Sequence, residues 1–345
     1  MPFSQTKQLV TIDRFISEQE GKHPEANGDF TGLMHDLIFA MRIISHEVRR
    51  AGLNNILGLT KLRNSNGDVV RKLDEYANNV ILNSMSQSGK LCCMASEESV
   101  GIIPIPEGSK KGKYIMVFDP LDGSTNIDVN ITIGTIFSLY KRLDENSESD
   151  GTLADVLQPG DKQVAAGYVL YGSSTVLVFT SGDGVNVFTF DPDIGEFLLT
   201  FEDIKIPKRG KTYSCNEGNH YKWEDRAREY VNYLKTPTAD HSKPYNFRYI
   251  ATAVADIHRT IFYGGIYLYP AGPASPTGKI RLVYEANPLA MIVEQAGGRA
   301  TNGKERLLGL KPESIHQTVA FYIGSEEDVL EAEQFLNGKH INQQI

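Results

Sequence analysis

Apolar residues recur along this chain in two rhythms, and the change between them predicts the order of its elements. Leu33, Leu37, Met41, Ile44 and Val48 fall at three- and four-residue steps, the spacing that lines one face of an α-helix. They predict an amphipathic helix from about Asp29 to Arg50, capped by Asn27 or Asp29 and stopped by Gly52, with Arg49 and Arg50 suiting the last turn. Further helices are expected over Ile12 to Glu20 and from about Leu73 to Met85. Gly52 to Lys72, with several Gly and Asn and weak periodicity, predicts a long loop, and long loops in compact domains are commonly functional or mobile.

The rhythm then shortens. Leu91 to Ala95 reads as a strand running into Ser96-Glu97-Glu98, Tyr114 to Phe118 as a strand ending at Asp119-Pro120, and Ile133 to Tyr140 as a third. Leu143 to Gly160 is polar and reads as a surface loop. From Val164 to Phe201, short strands punctuated by Gly172, Gly182-Asp183-Gly184 and Asp191-Pro192 predict an antiparallel run. Asn287-Pro288 reads as a capped helix start with its exit at Gly297-Gly298, and Ser325 with Asp328 as a capping box for a last helix ending near Asn337-Gly338. Strands and helices mixed in this way predict an α/β fold, a layered sandwich with two mixed sheets, divided softly into residues 1–200 and 201–345.

Composition narrows the class. At 345 residues, with 41% hydrophobic and 23% charged, the chain resembles an ordinary globular protein and excludes disordered, collagenous and coiled-coil classes. The net charge of −8 disfavours a broad nucleic-acid or anionic-membrane surface, yet leaves room for a small anion held in a local pocket or on metal ions. Cys92, Cys93 and Cys215 are an odd count without zinc-ligand spacing, so no disulfide framework is expected and a reducing compartment fits. Asp13, Glu18, Glu20 and Glu25 interrupt the N-terminal stretch, which has no apolar core of a leader, and Val164 to Gly182 is too rich in Gly, Ser and Thr for a membrane span. A cytoplasmic location is expected.

Candidate chemistry concentrates in Asp119-Pro120-Leu121-Asp122-Gly123-Ser124-Thr125, at the end of a predicted strand. Two carboxylates three apart suit a hard divalent cation such as Mg²⁺, and the amides of Gly123, Ser124 and Thr125 suit a phosphate. An ordinary Asp-Pro-x-Asp-Gly turn is an equal reading on general chemistry. As a fixed pentapeptide, however, Asp-Pro-Leu-Asp-Gly has a chance occurrence on the order of 10⁻⁴ per chain. Glu97-Glu98, alone a solvated loop pair, also lies at a strand end, where neighbouring ends share a crevice. Together the four acids suit a multi-metal site for attack on phosphorus. His258, one histidine without partners, reads as a structural hydrogen-bonder.

These residues carry a resemblance. Asp119 to Ser124, with Lys72-Leu73-Asp74, Glu97-Glu98, Gly134 to Phe137, Asn216-Glu217-Gly218, Ala255 to Thr260, Tyr263 to Pro270 and Lys279 to Pro288, resembles class I fructose-1,6-bisphosphatase of the lithium-sensitive, metal-dependent sugar phosphatase superfamily, over about residues 10–335. The resemblance implies an αβαβα sandwich and Mg²⁺-dependent removal of the 1-phosphate of fructose 1,6-bisphosphate, the gluconeogenic step. It implies that Glu97, Asp119, Asp122, Glu285 and the carbonyl of Leu121 hold Mg²⁺, about two to three ions per subunit, with Mn²⁺ as a substitute. Asp74 and Glu98 are implied to orient and deprotonate the attacking water. Asp122, Gly123, Ser124 and Thr125 are implied at the 1-phosphate, and Asn216, Tyr249 and Tyr269 at the 6-phosphate. Lys279 is implied to contact sugar and phosphate, and Arg248 to arrive from a neighbouring subunit of a homotetramer. Gly52 to Lys72 becomes a mobile loop that completes the site when engaged.

The resemblance also implies AMP as an inhibitor bound by Asn27, Gly28, Asp29, Phe30 and Thr31, with Lys113, Tyr114 and Lys141. Two departures point to weakened affinity: Asn27 stands where a Thr is usual, and Lys141 where an Arg is usual, keeping the charge without bidentate geometry. Asn219 stands where many relatives have a Tyr, so that 6-phosphate contact is looser or Tyr221 substitutes. The Leu143 to Gly160 loop has no cysteine, so thiol regulation of the plastid kind is not expected, and Cys92 and Cys93 read as small core residues. Two alternatives stay open: activity on sedoheptulose 1,7-bisphosphate, alone or in addition, and a catalytically silent metabolite-binding scaffold. The presence of every acid of the set weighs against the scaffold.

Overall fold

Two mixed sheets organise the chain in a computed structural model that describes residues 9–20, 28–54, 57–63, 69–238 and 242–339. The first three helices are α1 (Ile12–Glu20), α2 (Asp29–Val48) and α3 (Lys72–Ser86). Between α2 and α3, β1 (Leu59–Arg63) and β2 (Val69–Arg71) pair as an antiparallel ribbon, so the segment expected to be only a loop carries its own strands. Strands this short leave no alternating signature in a sequence.

The large sheet contains β3 (Leu91–Ser96), β4 (Ile103–Pro104), β5 (Tyr114–Asp122), β6 (Ile133–Lys141), β7 (Gln163–Tyr171), β8 (Thr175–Thr180), β9 (Asn186–Asp191) and β10 (Glu196–Phe201). Their order is β10-β9-β8-β7-β6-β5-β3-β4, antiparallel except for the β3–β5 pair. The antiparallel run expected after Val164 is therefore β7 to β10. The loop after β6 holds one helical turn, α4 (Leu153–Val156).

The second half supplies β11 (Thr212–Ser214), α5 (Asp225–Lys235), β12 (Asn246–Phe247), α6 (Ala253–Tyr263), β13 (Ile266–Tyr269), β14 (Ile280–Arg281), α7 (Asn287–Gln295), β15 (Arg299–Thr301), β16 (Thr318–Val319), β17 (Phe321–Gly324) and α8 (Glu326–Leu336). Five of these strands form a sheet in the order β12-β11-β13-β17-β15, while β14 pairs with β16.

Alternation along the strands sorts the core into layers, because successive side chains of a strand point to opposite faces. Phe137 and Leu139 of β6 pack with Leu37 and Met41 of α2 and with Leu73 and Ile81 of α3, whereas Ile136 packs with Val254 and Ile257 of α6 and Leu289 of α7. In the smaller sheet Tyr267 and Phe321 face the same α6–α7 layer. Ile266, Leu268 and Tyr322 face Tyr230 of α5 and Val329 of α8. The result is helix, sheet, helix, sheet, helix, the expected αβαβα sandwich.

Helix ends depart from their sequence signals. The N-cap of α2 is Gly28, in the left-handed region at φ 78°, and Asp29 already lies in the helix; Asn27 is outside the described residues. The helix ends at Val48 rather than Arg50. Asn287 does not cap α7, because a π-helical turn, Leu282–Ala286, runs directly into it. Ser325 precedes α8 but caps nothing with its side chain: its hydroxyl donates to the carbonyl of Pro207 and accepts from the amide of Gly265, tying α8 to the sheet edge. No helix of the described residues is long and apolar enough to cross a membrane.

Candidate active site

The site begins with an irregularity in β5. Asp119 pairs with Ile136 but Asp122 pairs with Gly134, so three steps on β5 oppose two on β6. Residues three apart on a regular strand face opposite sides; the extra residue of this bulge brings Asp119 and Asp122 to one side. The Asp-Pro-Leu-Asp segment, expected to be a turn, is thus the bulged end of a strand. Thr135 donates to the carbonyl of Pro120 at 2.8 Å, and the amide of Leu121 donates to Asp119 Oδ1 at 3.0 Å, which holds the bulge in shape. Gly123 follows at φ 82°, and a Cβ there would lie 2.7 Å from Cβ of Thr252, so the backbone approach requires glycine. A short 3₁₀ helix, Ser124–Val129, then carries the chain away.

Three other elements deliver carboxylates. The parallel partner β3 ends beside β5, where the amide of Glu97 donates to the carbonyl of Phe118 at 3.2 Å and Glu98 receives support from Ser96. The π-helical turn before α7 presents Glu285, whose carboxylate accepts from the backbone amide of Arg281. Such turns interrupt regular helix at the cost of weaker hydrogen bonding and recur at functional positions. The first turn of α3 presents Asp74, with Oδ2 accepting from the amide of Arg71 at 3.3 Å and Oδ1 buried without a hydrogen-bond partner. One carboxylate oxygen each from Asp119, Asp122 and Glu285 lie within 4.8 Å of one another.

Electrostatics sharpen the picture. Burial, then the charges of Glu97, Asp122 and Glu285, raise Asp119 well above the usual carboxylate range, and Glu97 shares a hydrogen bond with it. Burial and the charges of Glu97 and Asp122 raise Glu285 in the same way. Asp74 is pushed up to about 8, by burial first and by Glu98 next. Asp122 rises only to about 6, because the hydroxyl of Thr252 and the amide of Val254 offset its burial by donating to Oδ2. Without a compensating cation these acids cannot all stay ionised. An all-oxygen, buried, mutually repelling set with an orphaned oxygen on Asp74 fits hard divalent cations.

The second half frames a polar cleft beside this cluster. Asp256 of α6, fully buried, accepts from the amide of Ile250 at 3.0 Å and lies 2.9 Å from the hydroxyl of Ser214, which also meets the carbonyl of Arg248. That network fixes residues 248–250. Tyr249 is half-buried, and its hydroxyl is raised by burial and by the neighbouring Tyr269, Asp256 and Asp122. Tyr249 and Tyr269 therefore adjoin the acids.

The remaining sequence candidates are less drawn in. Asn216 uses its side chain to accept from Gly218 at 3.2 Å, and Arg248, Thr125 and Lys279 are exposed, with the Arg248 guanidinium donating to the carbonyl of Phe247. Tyr221 is 91% exposed. His258 takes its expected structural role: Nδ1 lies 2.9 Å from the hydroxyl of Tyr168, and burial lowers its pKa to about 4.

Sequence reasoning missed the supporting residues. Thr252 and the Val254 amide carry no motif of their own, and neither does Asp128, which accepts from the amide of Gly58 at 2.9 Å and pairs with Arg71. His316, whose ring bridges the hydroxyl of Tyr284 and the carbonyl of Ser99 at 2.9 Å each, staples the Glu285 turn to the segment after Glu98. Only folding brings these residues together.

At the start of α2, Gly28, Asp29, Phe30 and Thr31 lie with Phe30 against Tyr114, their ring centres 6.2 Å apart. The carboxylate of Glu20 already accepts from the amide of Gly28 and the hydroxyl of Thr31. Lys113 is exposed and Lys141 pairs with Glu145 at 3.6 Å.

Comparison with known proteins agrees with this architecture. The family model described as Fructose-1-6-bisphosphatase, N-terminal domain, matches residues 10–202, and the one for the C-terminal domain matches residues 206–337. The class 1 fructose-1,6-bisphosphatase of Chlorobium phaeobacteroides (strain BS1) is 52% identical over 331 residues, covering 96% of this chain and 99% of that protein. That of Oleidesulfovibrio alaskensis is 52% identical over 324 residues, covering 93% and 96%. The solved structure of Leishmania major fructose-1,6-bisphosphatase in holo form superposes with a TM-score of 0.90 at 40% identity, covering 96% of this chain and 99% of that one. The apo form of the same enzyme gives 0.84 at 38% identity, covering 96% and 100%. The bulged strand end and its acids thus sit on the sugar phosphatase fold, and the chain belongs to the class 1 fructose-1,6-bisphosphatase family of phosphoric monoester hydrolases.

Proposed function

We propose that this chain removes the 1-phosphate of D-fructose 1,6-bisphosphate, yielding fructose 6-phosphate and inorganic phosphate, by direct attack of water in a Mg²⁺-dependent site. The convergence of Asp119, Asp122 and Glu285 within 4.8 Å carries this reading, since buried carboxylates so close together call for shared cations. Glu97, Asp119, Asp122, Glu285 and the carbonyl of Leu121 would hold the ions, about two to three per chain, with Mn²⁺ able to replace Mg²⁺. When bound, the ions supply charge neutralisation at the phosphoryl oxygens and ready formation of hydroxide near neutral pH.

The chain's own residues do the rest. Asp74 and Glu98 orient the water and take its proton, a role suited to a carboxyl whose pKa stands near 8. Asp122, Gly123, Ser124 and Thr125 contact the 1-phosphate, while Asn216, Tyr249 and Tyr269 hold the 6-phosphate and Lys279 the sugar. Arg248, exposed at the edge of the smaller sheet, reaches a neighbouring subunit's site in a homotetramer. On this reading residues 1–200 carry the AMP site and the metal site apart from Glu285, and residues 201–345 carry Glu285 and most sugar-phosphate contacts, in a cytoplasmic gluconeogenic enzyme. AMP inhibits from the start of α2, and its phosphate has to displace Glu20 there.

The deciding experiment measures phosphate release from fructose 1,6-bisphosphate with Mg²⁺ and again with a chelator. Release that stops on chelation supports the proposal. Folded protein with neither Mg²⁺- nor Mn²⁺-dependent release refutes it, and a higher kcat/KM for sedoheptulose 1,7-bisphosphate reassigns the substrate.

A further inference from the structure

Consecutive residues of a regular strand point to opposite faces, yet Cys92 and Cys93 both lie in one core cluster with Val117, Tyr140 and Val156. The cause is a second irregularity in the large sheet: Leu91 pairs with Tyr114 and Cys93 with Ile115, so one extra residue is inserted in β3. Both thiols are free and buried.

One point of chain covers both sulfurs. Gly151 donates its amide to the carbonyl of Cys92 at 3.1 Å, and a Cβ on Gly151 would overlap Sγ of Cys93 and lie 2.9 Å from Sγ of Cys92. The two sulfurs therefore converge beneath that glycine. The loop that carries it is closed on itself: Asp155 accepts from the amides of Leu143 and Thr152 at 2.8 Å each, and Arg142 donates to the carbonyls of Ser147 and Ser149. Its outer residues Asp144, Glu145, Asn146 and Glu148 are exposed, as is Leu143. A segment held by polar contacts at its base and a glycine over the thiols can open without dismantling a core.

Arg142, almost fully buried, leaves its Nε without a hydrogen-bond partner, and its positive charge reaches the thiols. The hydrogen bond from Cys93, with Arg142 assisting against burial, lowers the pKa of Cys92, while Cys93 as donor is raised. Two free sulfurs thus lie side by side beneath one glycine, the donor type that soft, thiophilic centres select.

We propose that Cys92 and Cys93 form a bidentate dithiol site for a thiophilic trivalent arsenical, roofed by Gly151 of the loop between Leu143 and Asp155. Capture is a condensation without redox change. With an arsenoxide, two As–S bonds form, the arsenic–oxygen bond is lost, and the two thiol protons leave with that oxygen as water. Arsenic stays trivalent, so no oxidant is needed.

Phenylarsine oxide added to the native, full-length chain tests the site, with intact mass and thiol titration as readouts and circular dichroism as the check on folding. The expected result is one arsenical per chain with two thiols lost, stable to 2-mercaptoethanol and reversed by dimercaptopropanol. Cys215→Ser should retain this adduct. Cys93→Val, which places a good strand former in β3, should lose its resistance to the monothiol. Gly151→Ala, whose methyl cannot fit over the sulfurs, should accelerate capture by roughly tenfold or more. A native chain and a folded Gly151→Ala variant that both give no monothiol-resistant adduct would overturn the proposal. So would an adduct unchanged in Cys93→Val, and equal capture rates in the native chain and the Gly151→Ala variant would remove the roof from it.

Discussion

The backbone amide of Val254 donates to Oδ2 of Asp122 at 2.9 Å, across 132 positions of sequence. Val254 lies in the first turn of α6, where amides have no partner within the helix, so a helix start from the second half holds a carboxylate from the first. This contact, with that from Thr252, explains why Asp122 rises only to about 6 while Asp119 and Glu285 rise further.

Thr252 is the replaceable half of that support. Thr252→Val removes the hydroxyl that donates to Asp122 Oδ2 and keeps the side chain's shape. Partners of metal ligands typically affect metal affinity by about 10–100-fold. We expect the Mg²⁺ concentration for half-maximal activity to rise by roughly that factor, with kcat at saturating Mg²⁺ changed far less. A lowered kcat with unchanged Mg²⁺ dependence would contradict this.

Metal and pH should act on stability together. Asp74 has a folded pKa near 8 against about 3.8 unfolded, so between these values the folded chain holds the proton that the unfolded chain has released. Its contribution is present below about pH 4 and is lost as pH rises toward 8, and the raised Asp119 and Glu285 act in the same direction. The metal-free chain should lose melting temperature over this range, and Mg²⁺ should restore more of it at about pH 8 than at about pH 5. Thermal melts with and without a chelator at both pH values provide the check.

The same pKa shapes catalysis. A carboxyl protonated below about 8 cannot accept a proton from water, so kcat/KM should climb toward alkaline pH at low Mg²⁺. Added Mg²⁺ brings positive charge close and should move that limb toward neutrality. Asp74→Asn should abolish the limb and cost roughly 10²-fold or more in kcat. A pH–rate profile of the two proteins at two Mg²⁺ concentrations distinguishes the outcomes.

Asp128, in the short helix after the Asp119 to Ser124 segment, holds the β1–β2 ribbon by taking the amide of Gly58 and pairing with Arg71, whose own amide positions Asp74. Asp128→Ala should therefore lower kcat about tenfold through misplacement of Asp74, with KM for the sugar bisphosphate little changed. Steady-state kinetics give the split.

Glu20 occupies the start of α2 where an anionic inhibitor would bind. Glu20→Gln removes the competing charge while preserving a hydrogen-bond acceptor, so AMP should inhibit at roughly tenfold lower concentration. Inhibition curves for both proteins test this, and weaker inhibition of the variant would show that Glu20 assists AMP.

Much of this organisation is local and is therefore legible in the sequence. The four-residue steps of Leu33, Leu37 and Met41 impose a helix with one buried stripe wherever it packs, and the turn residues after Val164 impose hairpins. The Asp119 to Ser124 motif is also legible as a candidate, because its carboxylates and close-approach glycine belong to a few consecutive residues, and the family resemblance is what raises it above an ordinary turn. Tertiary structure decided the rest. Whether Asp119 and Asp122 share a side depends on a bulge set by pairing with β6, and whether Glu285 joins them depends on a π-helical turn packed beyond the sheet. Thr252, Val254 and Asp128 acquire roles only by meeting residues far away in sequence. Periodicity records which face of an element is buried, but not what that face will meet. The raised pKa values of the cluster belong to the same class of fact: burial and mutual repulsion are properties of neighbours, and the fold alone chooses them.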